Sequence, residues 1–103
     1  MNGALITMDQ AAAHLRLDLV SGDEREADLS TKMEQATDIV LDYIKNEGSG
    51  WDAETVPRPI HAAILITLSA LWDDREGELL GKLFGIGGTC ETLLARFRDP
   101  AIA

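Results

Sequence analysis

The sequence predicts an all-α protein, a small bundle of about four helices, two long and two short, with a glycine-rich loop before the last helix. Apolar residues recur every three or four positions between Asp23 and Asn46, which is the spacing of an amphipathic helix. A second long apolar stretch follows Pro59, a residue that favours the first turn of a helix. No segment alternates between apolar and polar residues as a half-buried strand does.

The length and composition indicate one domain spanning residues 1–103. A chain of this size buries roughly two-thirds of its unfolded surface, which is enough for a core without disulfides or metals. Apolar residues make up 46% of the chain and charged residues 26%, a balance typical of globular rather than disordered proteins. Because aromatic residues make up only 5%, the core is expected to be mainly aliphatic.

The first predicted helix lies in "ITMDQAAAHLRLD". Thr7 followed by Gln10 three residues later is a capping-box pattern, in which each side chain hydrogen-bonds the backbone of the other residue. Asp9 places a negative charge in the first turn, where the helix dipole favours it. Ala11 and Leu15 are expected to form the apolar face of this helix.

The second predicted helix runs from about Asp23 to Asn46 and is amphipathic. Its apolar stripe consists of Leu29, Met33, Ala36, Val40 and Tyr43, with Ile44 adjoining. Acidic residues crowd its first turns and Lys45 lies near its end, so both ends suit the helix dipole. Gly48 is suited to end the helix because glycine readily adopts the left-handed conformation found there.

The third predicted helix begins at Pro59 and carries no charge from Ile60 to Trp72. This run is well short of the ~20 residues that cross a bilayer, so a membrane anchor is rejected. A helix that is apolar on nearly all sides is normally enclosed by other helices or by a neighbouring subunit. Its β-branched residues leave a buried strand as the alternative, although the run is long for a strand.

The segment "GELLGKLFGIGGT" contains five of the nine glycines and is predicted to be a loop that is mobile in the free subunit. It has three residues between Gly77 and Gly81, where a phosphate-binding P-loop has four, and its glycines do not match a dinucleotide-binding motif. The apolar residues Leu83, Phe84 and Ile86 are instead expected to become buried when the loop orders against a partner.

The last predicted helix lies in "TCETLLARFRDP", is capped by Thr89 and ends before Pro100. Its inward-facing residues are expected to be Leu93, Leu94 and Phe97. Cys90 is the only cysteine, so the sequence provides neither an internal disulfide nor a cysteine-based zinc site. A buried or half-buried structural cysteine is the favoured interpretation, since no companion motif supports a nucleophile.

The charge of the chain restricts its partners. The formal net charge is -9 at pH 7 and the sequence pI is about 4.4. Tight nucleic-acid binding requires clustered Lys and Arg, and an anionic membrane surface would repel such a chain. The N-terminal residues lack the basic start and the apolar core of a signal peptide.

The candidate catalytic and ligand-binding residues favour interpretations without catalysis. His14 and His61 are far apart with no carboxylate at a ligand spacing, so solvated or capping histidines are expected. The acidic residues around Arg75 are more typical of a solvated face or of ion pairs than of acid–base catalysis. Trp51 is interpreted as a lid on the core, and Trp72 equally as a core lid or an interface anchor. No enzyme activity, metal or cofactor is predicted.

The order of these motifs resembles the small head–tail connector (adaptor, or head-completion) family of long-tailed double-stranded DNA phages and their prophages. The resemblance starts with "LITMDQAAAHLRLD", passes through "ATDIVLDYIKN" and "VPRPIHAAILITLSALWDDREG", and ends with "LLARFRD". In that family the third helix usually ends in an aromatic residue, a polar pair and Arg-Glu, as residues 72–76 do here. A proline commonly precedes the final helix of the family, whereas this chain has "GIGGT".

The resemblance implies an all-helical subunit that forms a ring beneath the portal, dodecameric when docked there, and supports head completion and tail attachment. The implied partners are other copies of the chain, the portal protein and the next head-completion or tail protein, while DNA passes through without tight binding. The implied location is the head–tail junction of the virion, after synthesis in the bacterial cytoplasm, with no catalysis, no cofactor and no membrane contact. The residues predicted to form interfaces are Trp72, Asp74, Arg75, Glu76, Leu83, Phe84 and Arg98.

A second class of protein also fits the sequence, namely a small acidic helical adaptor or regulator that binds one protein partner. Oligomeric state distinguishes the two classes, because a connector forms a closed ring and a regulator a monomer or dimer. An enzyme of unrecognised type is a third hypothesis, which a bound metal or nucleotide would support.

Overall fold

The computed structural model describes residues 5–18, 22–44, 51–52, 54–73, 78–85 and 87–95, and for residues 78–80 it describes the backbone alone. Within these ranges the chain forms helices and no strand, so the predicted all-α class is confirmed. The helices are α1 (Met8–Leu15), α2 (Arg25–Ile44), α3 (Arg58–Asp73), α4 (Glu78–Phe84) and α5 (Thr89–Leu94). The two long helices that the sequence predicts correspond to α2 and α3.

The N-terminus of α1 is held by the capping box that the sequence predicts. The Thr7 hydroxyl accepts the backbone N–H of Gln10 at 3.1 Å, and the Gln10 Oε1 accepts the backbone N–H of Thr7 at 2.9 Å. Two donors that would otherwise lack partners at the helix end are thereby satisfied. Ala11 is fully buried on the inner face of the helix, and Leu15 packs partly buried against the core.

The C-terminus of α1 is closed by a Schellman motif, which the sequence did not predict. The backbone N–H of Leu17 donates to the carbonyl of Ala12 at 2.9 Å, and that of Arg16 to Ala13 at 3.2 Å. Arg16 lies in the left-handed region with φ 58°, a conformation that normally favours glycine at this position. The side chain of Arg16 is exposed.

α2 buries the apolar stripe that its sequence predicts. Its buried residues are Leu29, Met33, Ala36, Thr37, Val40, Leu41 and Ile44. Tyr43, also predicted for the stripe, is half-buried and packs against the core. The Asp23 carboxylate accepts the backbone N–H of Arg25 at 2.9 Å, so an acidic side chain satisfies a donor at the start of the helix. The predicted helix end at Asn46 and the cap at Gly48 lie outside the described residues.

α3 is the central element of the fold and contacts each of the other described helices. It begins at Arg58, one residue before the predicted start at Pro59, and its helical geometry excludes the alternative of a buried strand. Its buried residues are Ile60, Ala63, Ile64, Thr67, Leu68 and Ala70. Among the helices in the described ranges, none is long and apolar enough to cross a membrane.

The glycine-rich segment is not the continuous loop that the sequence predicts, because its first part forms α4. Gly81 lies inside this helix at a cost of about 1 kcal/mol relative to alanine. Leu83 and Phe84 are half-buried against the core, and burial on this scale offsets the poor helix propensity of glycine. The prediction of an irregular loop is therefore wrong for Glu78–Phe84, while mobility of the segment in the free subunit stays a prediction, and Ile86 lies outside the described residues.

The glycines that follow α4 form a tight turn that leads into α5. Gly87 has φ +79°, which L side chains rarely adopt. A Cβ atom on Gly88 would overlap the carbonyl oxygens of Lys82 and Leu83. The predicted cap at Thr89 is also wrong, since Thr89 is the first helical residue and Gly88 occupies the cap position without a side-chain hydrogen bond. A side chain at that position would not fit, which explains why glycine replaces the expected hydroxyl cap.

A buried threonine joins the N-terminal segment to α2. The hydroxyl of Thr37, which is fully buried, accepts the backbone N–H of Leu5 at 3.2 Å and donates to the carbonyl of Met33 at 2.9 Å. The hydroxyl therefore uses both its donor and its acceptor capacity inside the core. Leu5 and Ile6 are themselves buried in the core, so this hydrogen bond anchors the segment that leads into α1.

Candidate interaction surface

The structure describes some of the residues predicted to form interfaces and leaves the others undescribed. Asp74, Arg75, Glu76 and Arg98 lie outside the described residues. Trp72, Leu83 and Phe84 lie within them, on the last turn of α3 and on α4. All three are half-buried and pack against the core cluster.

Trp72 covers part of the core, while its role as an interface anchor stays a prediction. It packs against the core and also keeps part of its surface accessible, so it covers the core and still presents an aromatic surface to solvent. Trp51, interpreted from the sequence as a core lid, likewise packs partly buried against the core. A tryptophan that keeps part of its surface accessible is a favourable anchor for a partner because it offers a large contact area with few rotatable bonds.

The side chains of Phe84 and Leu83, both on α4, have different surroundings. The ring of Phe84 lies against the ring of Tyr43, with centroids 5.0 Å apart and planes inclined by 59°. Such a tilted pair is a favourable aromatic geometry, and it fastens α4 to α2. Leu83 instead lines a cavity on α3. Of the two residues, Leu83 is therefore the one that contributes to an open surface, while Phe84 contributes to the fold.

The cavity, here called the α3 groove, has a volume of about 220 Å³. Its lining residues are His14, Ile66, Ser69, Ala70 and Leu83. The floor comes from the charge-free part of α3, and the walls come from the end of α1 and from α4. The lining is mainly apolar, with an imidazole and a hydroxyl as its polar side chains, so the groove suits an aliphatic or aromatic side chain.

Basic residues flank the α3 groove in the sequence of its two walls. Arg16 lies two residues beyond His14, and Lys82 immediately precedes Leu83. Both side chains are exposed, and within the described residues neither forms an ion pair. Lys32 pairs with Asp28 at 3.2 Å, whereas Arg58 is also exposed and has no ion pair within the described residues. The exposed Asp73 follows Ile66 by seven residues and so shares its face of α3, which places a carboxylate on the groove side as well. The charged residues near the groove are therefore of both signs.

The outer face of α2 is acidic. Positions 35, 38, 39 and 42 are spaced i, i+3, i+4 and i+7, so they share one face of the helix, here called the α2 ridge. Gln35, Asp38 and Asp42 are exposed, and neither aspartate forms an ion pair within the described residues. Two like charges four residues apart destabilise an isolated helix by roughly 0.2–0.5 kcal/mol. The ridge therefore carries an uncompensated negative charge.

Ile39 is the apolar member of the α2 ridge. It is half-buried and lies outside the core cluster, whereas the other large apolar side chains of α2 belong to the core or pack against it. Sequence reasoning missed it because the apolar stripe of α2 is complete without it. The available signal was a large aliphatic residue off the stripe and between two aspartates.

A hydrogen bond between α1 and α3 holds one wall of the groove. His61 Nε2 lies 3.0 Å from Gln10 Oε1, which already accepts the backbone N–H of Thr7. The oxygen is an acceptor in both contacts, so the Nε2 of His61 carries the proton. This side-chain hydrogen bond joins the capping box of α1 to α3. The second histidine, His14, is exposed at the groove.

The remaining reactive groups are structural within the described residues. Cys90 is fully buried, its sulfur lies 3.7 Å from the hydroxyl of Thr67, and burial raises the pKa of the thiol. A buried thiol with a raised pKa is a poor nucleophile, in agreement with the structural interpretation. No group of three or more His, Cys, Asp or Glu side chains in the described ranges is arranged to hold a metal ion.

No protein-family model, characterised protein or solved structure matches this chain.

Proposed function

We propose that this chain is a structural subunit of a phage head–tail connector ring, docked beneath the portal at the head–tail junction of the virion. The observation that carries the proposal is the ordered set of motifs between Leu5 and Asp99, which resembles the connector family along nearly the whole chain. In this role the subunit contacts other copies of itself, the portal protein and the next head-completion or tail protein. It is made in the bacterial cytoplasm and performs no catalysis.

The fold supports the proposal through the arrangement of its central helix. α3 contacts every other described helix, and an open groove remains beside its C-terminal half. That half ends at Asp73, directly after Trp72, one of the residues predicted to contact a neighbouring subunit. A ring subunit needs a rigid core together with apolar surface that stays accessible before assembly, and α3 provides both.

The charge of the chain supports a passive conduit for DNA. With a net charge of -9 per subunit, a closed ring repels phosphates and does not grip the DNA that passes through it. The same charge opposes assembly at low ionic strength. Salt limits the repulsion to about 8 Å at physiological strength, so self-association should strengthen as salt rises from very low to moderate concentration.

The test measures oligomeric state and DNA binding together. Light scattering and negative-stain microscopy of the purified chain, with and without a portal protein, should show a closed ring that the portal promotes. A gel-shift titration with duplex DNA should show negligible binding. A stable monomer that ignores the portal would contradict the connector and favour an adaptor of one protein partner. Micromolar DNA affinity that falls steeply with salt would contradict the conduit even if rings formed.

A further inference from the structure

We propose that α4 and α5 detach from α3 and unfold together as one unit, while α1, α2 and α3 stay folded. The unit, here called the α4–α5 hairpin, comprises residues 78–85 and 87–94. Its opening uncovers the part of α3 beside Thr67, which is fully buried in the closed fold. The inference goes beyond the proposed function and does not depend on it, because it concerns the free subunit alone.

The two helices of the hairpin are joined by their turn. The backbone N–H of Gly88 donates to the carbonyl of Gly85 at 2.9 Å. A Cβ atom on Gly88 would overlap the carbonyl oxygens of Lys82 and Leu83, so the start of α5 lies directly against the last turn of α4. Because this turn needs the helical backbone of α4, loss of one helix disturbs the other, and the two are expected to open together.

Neither helix of the hairpin is stable by itself. α4 has 7 residues and α5 has 6, whereas isolated helices shorter than roughly 12–15 residues are marginal in water. Gly81 lowers the helix propensity of α4 further. The cap position of α5 is Gly88, which provides no side-chain hydrogen bond. Both helices therefore depend on their packing against the core, and they unfold when they leave it.

The hairpin is attached to the core by apolar side chains and by one thiol. Cys90 and Leu94 are fully buried, and Leu83 packs partly buried against the core. The sulfur of Cys90 lies 3.7 Å from the hydroxyl of Thr67 and 3.9 Å from the carbonyl of Ala63, and within the described residues α3 makes no other hydrogen bond to α4 or α5. The hydroxyl of Thr67 also donates to the carbonyl of Ala63 at 2.7 Å, so it keeps that partner when the hairpin opens.

The rest of the described core is attached more firmly. α2 and α3, with 20 and 16 residues, contribute most of the buried residues. The N-terminal segment is held by the hydrogen bond from the backbone of Leu5 to Thr37 inside the core, and α1 is joined to α3 through Gln10 and His61. Proteins open in cooperative units, and the units with the fewest buried contacts open at the lowest free energy. The α4–α5 hairpin is that unit in this fold.

The experiment uses Cys90 as the reporter of opening, since it is the only cysteine of the chain and is fully buried on the hairpin. The full chain is alkylated with iodoacetamide in a series of urea concentrations below the unfolding transition, at low protein concentration to limit self-association, and the labelled fraction is measured by mass spectrometry. The labelling rate should depend on urea clearly less than global unfolding measured by far-ultraviolet circular dichroism does, because opening of the hairpin exposes less surface. An equal dependence on urea would overturn the proposal.

Two variants test whether the hairpin opens as a unit. A Cβ atom on Gly81 meets no atom within 4 Å, so Gly81→Ala should strengthen α4 and slow the labelling of Cys90 in α5 about fivefold. Gln35→Gly, on the exposed face of α2, is the control and should weaken global stability while the labelling rate without urea stays unchanged. If Gly81→Ala leaves the labelling rate unchanged, α5 opens without α4 and the proposal is wrong. If Gln35→Gly accelerates labelling about fivefold, Cys90 reacts only when the whole chain unfolds, and the proposal is wrong as well.

Discussion

α2 and α3 are the two long helices of the described chain, with 20 and 16 residues, and they differ in how charge is distributed around them. α2 buries one stripe and presents acidic residues on its outer face. α3 carries no charge from Ile60 to Trp72 and is contacted by every other described helix. An amphipathic helix needs one packing partner, whereas an apolar helix needs several and exposes apolar surface wherever one is missing. The α3 groove is such a place.

The largest expected effect contrasts two leucines of α3. Leu68 is fully buried, so Leu68→Ala should lower the free energy of unfolding by about 3 kcal/mol through lost burial and a residual cavity. Leu65, one turn away and half-buried, is the matched control and should cost clearly less. Chemical denaturation monitored by far-ultraviolet circular dichroism measures both variants. Equal losses would show that α3 is enclosed on all sides and has no open face.

The second effect compares the buried threonines of the two helices. Thr37→Val in α2 leaves the backbone N–H of Leu5 without its acceptor, which should cost about 1–3 kcal/mol. Thr67→Val in α3 removes a hydroxyl that donates to the carbonyl of Ala63, and this should cost less because no backbone donor loses its acceptor. Urea denaturation of the two variants provides the comparison. A costlier Thr67→Val would contradict the anchoring role assigned to Thr37.

The third prediction is a gain in the stability of the protein from a substitution at the C-terminus of α1. Arg16 occupies a left-handed conformation, so Arg16→Gly should raise the free energy of unfolding by roughly 0.5–1 kcal/mol. Gln35→Gly, on the exposed face of α2, is the control and should lower it by about 1 kcal/mol. Thermal melting measures the two opposite shifts. A loss of stability in Arg16→Gly would mean that the arginine side chain makes a contact worth more than the backbone strain.

The smallest effect concerns the turn that leads into α3. Asp52 Oδ1 accepts the backbone N–H groups of Glu54 and Thr55 at 2.8 and 2.9 Å and the hydroxyl of Thr55 at 3.2 Å, which lowers the pKa of the carboxyl. The folded state therefore favours the ionised form. This contribution to stability is present above the ordinary carboxyl pKa of about 3.9 and is lost as the pH falls through the lowered value.

Asp52→Ala should accordingly make the stability of the protein less dependent on pH in the acidic range, as measured by urea denaturation at a series of pH values. Glu54→Gln is the control, because only the backbone of Glu54 takes part in the turn. If the acid dependence is unchanged in Asp52→Ala, the turn does not contribute to the pH dependence of folding.

Several parts of the fold follow from local sequence rules. The capping box of Thr7 and Gln10 was predictable because both hydrogen bonds join residues three positions apart. The buried stripe of α2 and the start of α3 were predictable because helical periodicity and proline placement are local as well. α4 was not predictable in this way. Its glycines oppose a helix locally, and the packing of Leu83 and Phe84 against distant residues outweighs them.

The helical class, the position of the two long helices and the acidic character of the chain can be read from the sequence, since each depends on composition or on neighbours within a few residues. The groove lined by His14, Ile66 and Leu83, and the position of Ile39 outside the core, depend instead on how the helices pack together. The physical reason is separation along the chain. The groove joins segments from three helices whose relative placement depends on the packing of the whole core, and no pattern within one segment contains that information.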